Sequence, residues 1–360
     1  MIPTLSRTCC AALCAALLAA CASNPPPEPP TPEQTREQAE TFIASEDIGD
    51  DRGRFAEVYC AVLEARQDEI PDWRSCQEAL RFTGLEQGAT EEPVALGQSE
   101  SNLLALFVPG LGWNCFEDFL DLTYSVPNHV AQFGYELRMV PVDGLSSSAH
   151  NARMIRDFVA ALPEEDAGRP IVLMGYSKGA PDILEAVVSY PELAERVSAV
   201  VSVAGAVHGS PLANDAEQAQ ANMLSMVPGS TCHEEDGDND AVTSLRTDVR
   251  EQWLDDTPLP DTVQFYSLVT FPEEDRISWG LKNSWVLLGE NDIRNDTQVI
   301  AFDQIVPGST LLALVNADHW AIAVAVARNH PLNGGTFINR NDYPREALLE
   351  ALLRYLEETL

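Results

Sequence analysis

Ser177 stands in Gly175-Tyr176-Ser177-Lys178-Gly179, directly after the apolar run Ile171 to Met174. A serine hydroxyl can attack an acyl carbon if a neighbouring base takes its proton. The flanking glycines suit that task. Where a strand turns sharply into a helix, the serine adopts strained dihedrals and its neighbours have no room for side chains. The candidate base is His319, in Asn316-Ala317-Asp318-His319-Trp320, because it follows an apolar strand predicted over Leu311 to Asn316. His129, His150, His208, His233 and His330 fall on helices, in an irregular insertion or near proline-rich turns. An acid that orients the imidazole should lie between nucleophile and base, and Asp275, Asp292 and Asp296 all do. Val108-Pro109-Gly110-Leu111-Gly112-Trp113 leaves another predicted strand in a glycine-containing turn. From there the backbone N–H of Leu111, with that of Lys178, would receive the negative charge of a tetrahedral intermediate. A plain turn that needs glycine is the other use of the same residues. The Lys178 side chain reads as exposed, and whether it does more than fill the turn is left open.

These groups need a scaffold that brings strand ends to one edge. From Ser101 the sequence alternates apolar runs with helical stretches, the signature of a largely parallel sheet. Strands are predicted over Leu103 to Val108, Glu136 to Val142, Ile171 to Gly175, Ala199 to Ala204, Val263 to Val269 and Thr310 to Asn316. Helices are predicted over Phe116 to Phe133, Ser148 to Leu162, Gly179 to Ser189 and Pro344 to Leu356, the last with a leucine-rich packing face. Between about 205 and 262 the pattern breaks into Pro, Gly, Asn and acidic residues around one amphipathic piece, Ala213 to Met226. A long irregular insertion of this kind reads as a cap or lid. Residues 33–97 read as a helical extension, with Phe55, Val58, Tyr59, Val62 and Leu63 at helical spacing. The main domain spans 98–360.

In this order, the serine turn, the Pro-Gly loop, an Asn-Asp segment and the Ala-Asp-His-Trp segment resemble bacterial α/β-hydrolases of the lipase and esterase kind, over roughly Ser101 to the C-terminus. Asn295-Asp296-Thr297-Gln298-Val299 is similar to the N-D-G-x-V stretch that carries the acid in lipase-like members, with Thr297 in place of Gly. Asp296 is therefore favoured, with Asp292 and Asp275 as rivals. His208-Gly209-Ser210-Pro211 resembles the turn that opens the lid region in lipases. The resemblance implies a mostly parallel central sheet flanked by helices and hydrolysis of carboxylic esters through an acyl-enzyme. It leaves open acyl transfer by the same residues, or a non-catalytic envelope binding protein of this fold.

The N-terminus carries Arg7 and then an apolar stretch from Thr8 to Ala20, the layout of a secretory signal. Leu18-Ala19-Ala20-Cys21 resembles a bacterial lipobox, so residues 1–20 are expected to be removed and Cys21 lipidated. Residues 21–32 would form a proline-rich tether. In the lipoproteins that this segment resembles, an Asp after the cysteine tends to retain the protein in the inner membrane; with Ala22 there, the resemblance implies an outer-membrane location in a cell that has one, facing the periplasm or the exterior. In such an oxidising compartment Cys60, Cys76, Cys115 and Cys232 read as two disulfides. The preferred pairing is Cys60 with Cys76, which share one hairpin-like segment, and Cys115 with Cys232. The cysteine spacing does not suit zinc. Asp236-Gly237-Asp238-Asn239-Asp240 lacks the sixth-position Gly and twelfth-position Glu of a calcium loop and reads as solvated. No metal or cofactor is expected. A formal net charge of −34 argues against nucleic acid as a partner, since phosphate recognition relies on clustered Lys and Arg. The expected partners are a small-molecule or lipid ester and, through the anchor, a membrane.

Overall fold

A computed structural model describes residues 31–45, 48–113, 125–215 and 237–360. The expected signal, Cys21, most of the tether, Cys115, Cys232, Asp236 and most of the Ala213 to Met226 piece lie outside them. Seven strands form one sheet, β1 Gly49–Asp50, β2 Leu104–Val108, β3 Glu136–Met139, β4 Ile171–Tyr176, β5 Val197–Val203, β6 Gln264–Thr270 and β7 Thr310–Val315. Their order is β1-β7-β6-β5-β4-β2-β3, and every neighbouring pair is parallel. Among the described helices of seven residues or more are α1 Pro32–Ser45, α2 Arg52–Ala65, α3 Ser125–Ala131, α4 Ser148–Ala160, α5 Gly179–Ser189, α6 Thr247–Asp256, α7 Lys282–Gly289 and α8 Arg345–Thr359.

The central strands are mostly apolar because helices cover both faces of the sheet. Side chains alternate between the faces. Leu104, Leu106, Leu173 and Val200 pack with Ile155 and Val159 of α4 and Ile183, Leu184 and Val187 of α5. Ala105, Val172, Met174, Val201 and Leu268 pack with Phe55 and Tyr59 of α2 and Leu348, Leu352 and Leu356 of α8. Since all strands run the same way, their carboxyl ends share one edge, and loops leaving that edge can converge on a single site. The fold expected from the sequence, a parallel sheet flanked by helices, is the fold observed.

The N-terminal extension is part of the same core. Tyr59 and Tyr343 meet hydroxyl to hydroxyl at 3.0 Å, Arg54 pairs with Glu358 of α8, and Glu350 of α8 receives His129, Arg66 and Arg354. The Cys60–Cys76 disulfide ties α2 to the short helix Cys76–Ala79.

Two features of the extension differ from the sequence reading. Residues 81–102 form neither helix nor strand. Side-chain carboxylates take the place of helical carbonyls there: Glu86 accepts from the Thr83 and Gly84 N–H groups, and Glu57 from those of Thr90 and Glu91. The extension also supplies β1, which pairs with β7 at the sheet edge through Gly49 and Asp50; two residues are too few to show an alternating pattern. Farther on, β3 stops at Met139, before Pro141, which has no N–H to donate.

Candidate active site

Ser177 lies at the turn from β4 to α5 with φ +55°, a left-handed conformation that a non-glycine residue occupies only under strain. The packing explains the glycines around it. A Cβ on Gly175 would sit 2.5 Å from the Ala180 nitrogen, and one on Gly179 would sit 2.1 Å from the Val108 carbonyl oxygen. The turn is fixed by main-chain bonds: Ser177 N–H donates to Val203 O at 3.2 Å, and Ser177 O accepts from Ala180 at 3.2 Å and Ala206 at 3.0 Å. The β2 loop comes in from the other side, where a Cβ on Gly110 would sit 2.8 Å from that of Ser177.

The Ser177 hydroxyl oxygen lies 2.9 Å from His319 Nε2. On the other side of the ring, Nδ1 lies 2.7 Å from Asp296 Oδ2. With a carboxylate against Nδ1, the proton of a neutral imidazole belongs on Nδ1, which leaves Nε2 free to accept from the serine hydroxyl. His319 and Asp296 are buried. Of the three acids open in the sequence, the structure brings Asp296 to the histidine. Asp292 is engaged with Arg294, and Asp275 is exposed in a short 3-10 turn.

Asp296 is held by the main chain of its own stretch and by Thr270 and Gln304, which the sequence reading did not single out. Oδ1 accepts from the N–H groups of Gln298 at 2.9 Å and Val299 at 2.8 Å. Oδ2 accepts from the Thr270 hydroxyl at 2.5 Å and Gln304 Nε2 at 3.2 Å, besides the histidine. Thr297, in place of the glycine of the similar lipase stretch, has φ +90° and donates its N–H to Asn295 Oδ1 at 3.0 Å. The Ser210 hydroxyl, in the turn that opens the insertion, donates to Gln298 O at 2.5 Å.

The histidine is held from below as well. The Tyr176 hydroxyl donates to His319 O at 2.8 Å, with the rings 5.1 Å apart between centroids. Burial, with the Asp296 and Asp318 carboxylates nearby, pushes the Tyr176 phenol up, so it stays a neutral donor. Asp318 accepts from the Ser278, Trp320 and Ala321 N–H groups and fixes the turn around His319. Burial nevertheless pushes the Asp318 carboxyl up.

Leu111 and Lys178 follow the Gly110 turn and Ser177 respectively. Among the described residues neither N–H donates to a backbone carbonyl. The Lys178 side chain corrects the sequence reading. It is fully buried and its Nζ donates to both oxygens of Asp182, at 2.7 and 2.9 Å. Asp182, in the first turn of α5, points its side chain back toward the helix N-terminus, where it meets the residue four positions earlier.

An apolar cavity of about 250 Å³ lies between the sheet and α8, with Phe107, Met174, Leu268 and Leu348 in its walls. Trp113, from the loop that carries Leu111, and Ile322, from the turn after His319, also line it. The acidic segment is docked on the body: Asp238 accepts from Ser147 N–H at 2.7 Å and Oγ at 2.5 Å. Among the described residues no group of three or more His, Cys, Asp or Glu is arranged to hold a metal ion.

No family model and no curated protein matches the chain. Solved structures do. The crystal structure of a metagenomic carboxyl esterase, MGS0156, shares 38% identity over 96% of this chain and 99% of its own, with a TM-score of 0.80. The mature form of the Bacillus licheniformis lipase BlEst2 shares 20% identity over 68% of this chain and 95% of its own, with a TM-score of 0.51. The second likeness is one of fold.

Proposed function

The chain belongs to the carboxyl esterases of the α/β-hydrolase fold and hydrolyses carboxylic esters; from that premise we propose that Ser177, His319 and Asp296 carry the reaction through an acyl-enzyme. The observation that supports the roles is the unbroken contact from the Ser177 hydroxyl through His319 to Asp296, at 2.9 and 2.7 Å.

Ser177 Oγ attacks the ester carbonyl carbon as its proton passes to His319 Nε2. The carbonyl oxygen becomes an oxyanion, which the N–H groups of Leu111 and Lys178 receive. Asp296 holds the imidazole orientation and stabilises its charged form. When the C–O bond to the alcohol breaks, His319 returns the proton to the departing oxygen. Water then attacks the acyl-enzyme by the same route, releasing the acid and restoring the serine. An apolar cavity walled in part by both site loops suits an apolar acyl group.

The test is hydrolysis of p-nitrophenyl esters of increasing acyl length by a form starting after Cys21, beside Ser177→Ala. Loss of turnover in the variant with wild-type folding supports the assignment; retained turnover overturns it.

The N-terminal segment supports a second part of the reading, export and lipid attachment at Cys21 with the enzyme held at the cell envelope. Metabolic labelling with a radioactive fatty acid in a bacterial host should mark the full chain and not Cys21→Ser. Equal labelling of both would remove the anchor.

A further inference from the structure

Lys178 is an unusual residue for its place. A cation near a helix N-terminus opposes the helix dipole, which favours Asp182 there but not an ammonium group. Both groups are fully buried, and a buried ion pair recovers little or none of the cost of removing its charges from water. Well-packed apolar residues would serve stability as well. A pair kept against these terms, one residue after the nucleophile, points to a demand of the site.

The pair continues as a bonded chain. Asn151 Nδ2 donates to Asp182 Oδ2 at 2.7 Å and to Asp143 O at 2.9 Å, while Asp143 N–H donates to Asn151 Oδ1 at 3.1 Å. The Asp143 carboxylate folds its own loop, accepting from Leu145 N–H at 2.9 Å and the Ser146 hydroxyl at 2.6 Å. Within that loop, Gly144 O accepts from Gly112 N–H at 2.9 Å. Gly144 must be glycine for this approach, since a Cβ there would lie 2.6 Å from the Trp113 nitrogen. The chain therefore begins at the side chain of one oxyanion donor, Lys178, and ends on the residue next to the other, Leu111.

We propose that Lys178, Asp182, Asn151 and Asp143 form a buried bridge that sets the spacing of the two oxyanion donors. They are positioning residues that act through the backbone at Lys178 and Leu111. The inference rests on the reading of Ser177 as nucleophile. Since Asp182 neutralises the ammonium group at contact distance, the bridge works by geometry more than by adding charge at the oxyanion. An oxyanion donor displaced by a fraction of an ångström loses much of its value only when the negative charge has formed.

The test is the paired replacement Lys178→Met with Asp182→Leu, which removes both charges together and leaves neither buried alone. Expected is a fall in kcat of roughly 10- to 100-fold with KM within about twofold, below the ~100- to 1000-fold cost of deleting a donor outright. An alkyl trifluoromethyl ketone gives the second readout. Ser177 Oγ adds to its carbonyl carbon, the proton goes to His319, and the resulting oxyanion occupies the hole. Its affinity should fall by the same factor as kcat. A folded double variant with wild-type kcat and ketone affinity overturns the proposal, as does a change in KM alone. Should the double variant not fold, Asn151→Ser keeps the ion pair and cuts the link to Asp143; it should show the same paired losses, and wild-type values for it overturn the proposal equally. Full activity in Ser177→Ala would instead remove the nucleophile on which the inference rests, so the two failures are distinct.

Discussion

Two buried polar networks meet at Ser177, and they are built on different plans. The one behind His319 is centred: Asp296 accepts five hydrogen bonds, from His319, Thr270, Gln304 and the main chain at Gln298 and Val299. The one behind Lys178 is linear, running through Asp182, Asn151 and Asp143 to the loop beside Gly112, with each member joined to the next. A centred network fixes the direction of a single carboxylate, which suits a group that must face an imidazole through a proton transfer. A linear one fixes the distance between two loops, which suits a pair of donors that must act together. The centred network should therefore fail at its hub, and the linear one should weaken at any link.

The hub gives the largest expected effect. Asp296→Asn keeps the shape but presents an amide to His319 Nδ1, favouring the wrong tautomer, and should lower kcat by roughly 10,000-fold. Steady-state kinetics on a p-nitrophenyl ester checks it. A fall below about tenfold would show that the imidazole is oriented by Tyr176 and the Asp318 turn instead, and the contrast with the linear network would collapse.

The disulfide tests the contrast from outside both networks. Cys60 and Cys76 close a loop with a sequence separation of 16, far from the site in sequence. Replacing both with Ala should cost ~3 kcal/mol of stability by the loop-entropy argument, read as a melting temperature several degrees lower, while kcat at 25 °C stays at the wild-type value. A fall in kcat would mean that the extension helps to hold the site through α8.

Much of the centred network was legible and almost none of the linear one. Ser177 and His319 stood out because the serine turn imposes glycines at fixed offsets and a base must follow a strand. Asp296 was legible through its Asn-Asp neighbourhood alone, since three aspartates satisfied the order. Thr270 left one trace, a small polar residue just beyond a strand predicted to end at Val269. Its bond to Asp296 crosses 26 positions, which no local pattern encodes. The linear network was hidden by a sound prior. Lysines are almost never buried unless paired, so Lys178 read as solvent-facing, although an aspartate four residues on in a helix was in plain view. The parallel sheet was legible because continuous apolar strands alternate with helices; β1 was not, because two residues carry no period.

Thr270→Val removes one donor from the hub while keeping the volume of the side chain. With the other four contacts left, kcat should fall by about tenfold or less, near the ~1 kcal/mol typical of one hydrogen bond. A loss approaching that of Asp296→Asn would show that the carboxylate is fixed by this hydroxyl alone, which would make the hub a single contact.

The smallest effect concerns the rim of the centred network, where Asp303 neighbours Gln304. Burial, with the Asp292 and Glu251 charges, pushes its carboxyl up to about 7. A group whose folded pKa lies above its unfolded value, ~3.9 for Asp, binds more protons in the native state. Its contribution to stability is complete below the lower value and is lost as pH rises through about 7. His208, whose N–H donates to Asp303 O, works in the opposite sense. Burial and Arg250 lower it to about 4, so its contribution is lost as pH falls below ~6.5. The two slopes offset each other in the wild type, and a single melting curve against pH would hide both. Asp303→Asn removes one. Its melting temperature relative to wild type should rise from pH 5 to pH 8. A difference independent of pH would place the Asp303 carboxyl in contact with solvent and leave the rim of the hub without a buried charge.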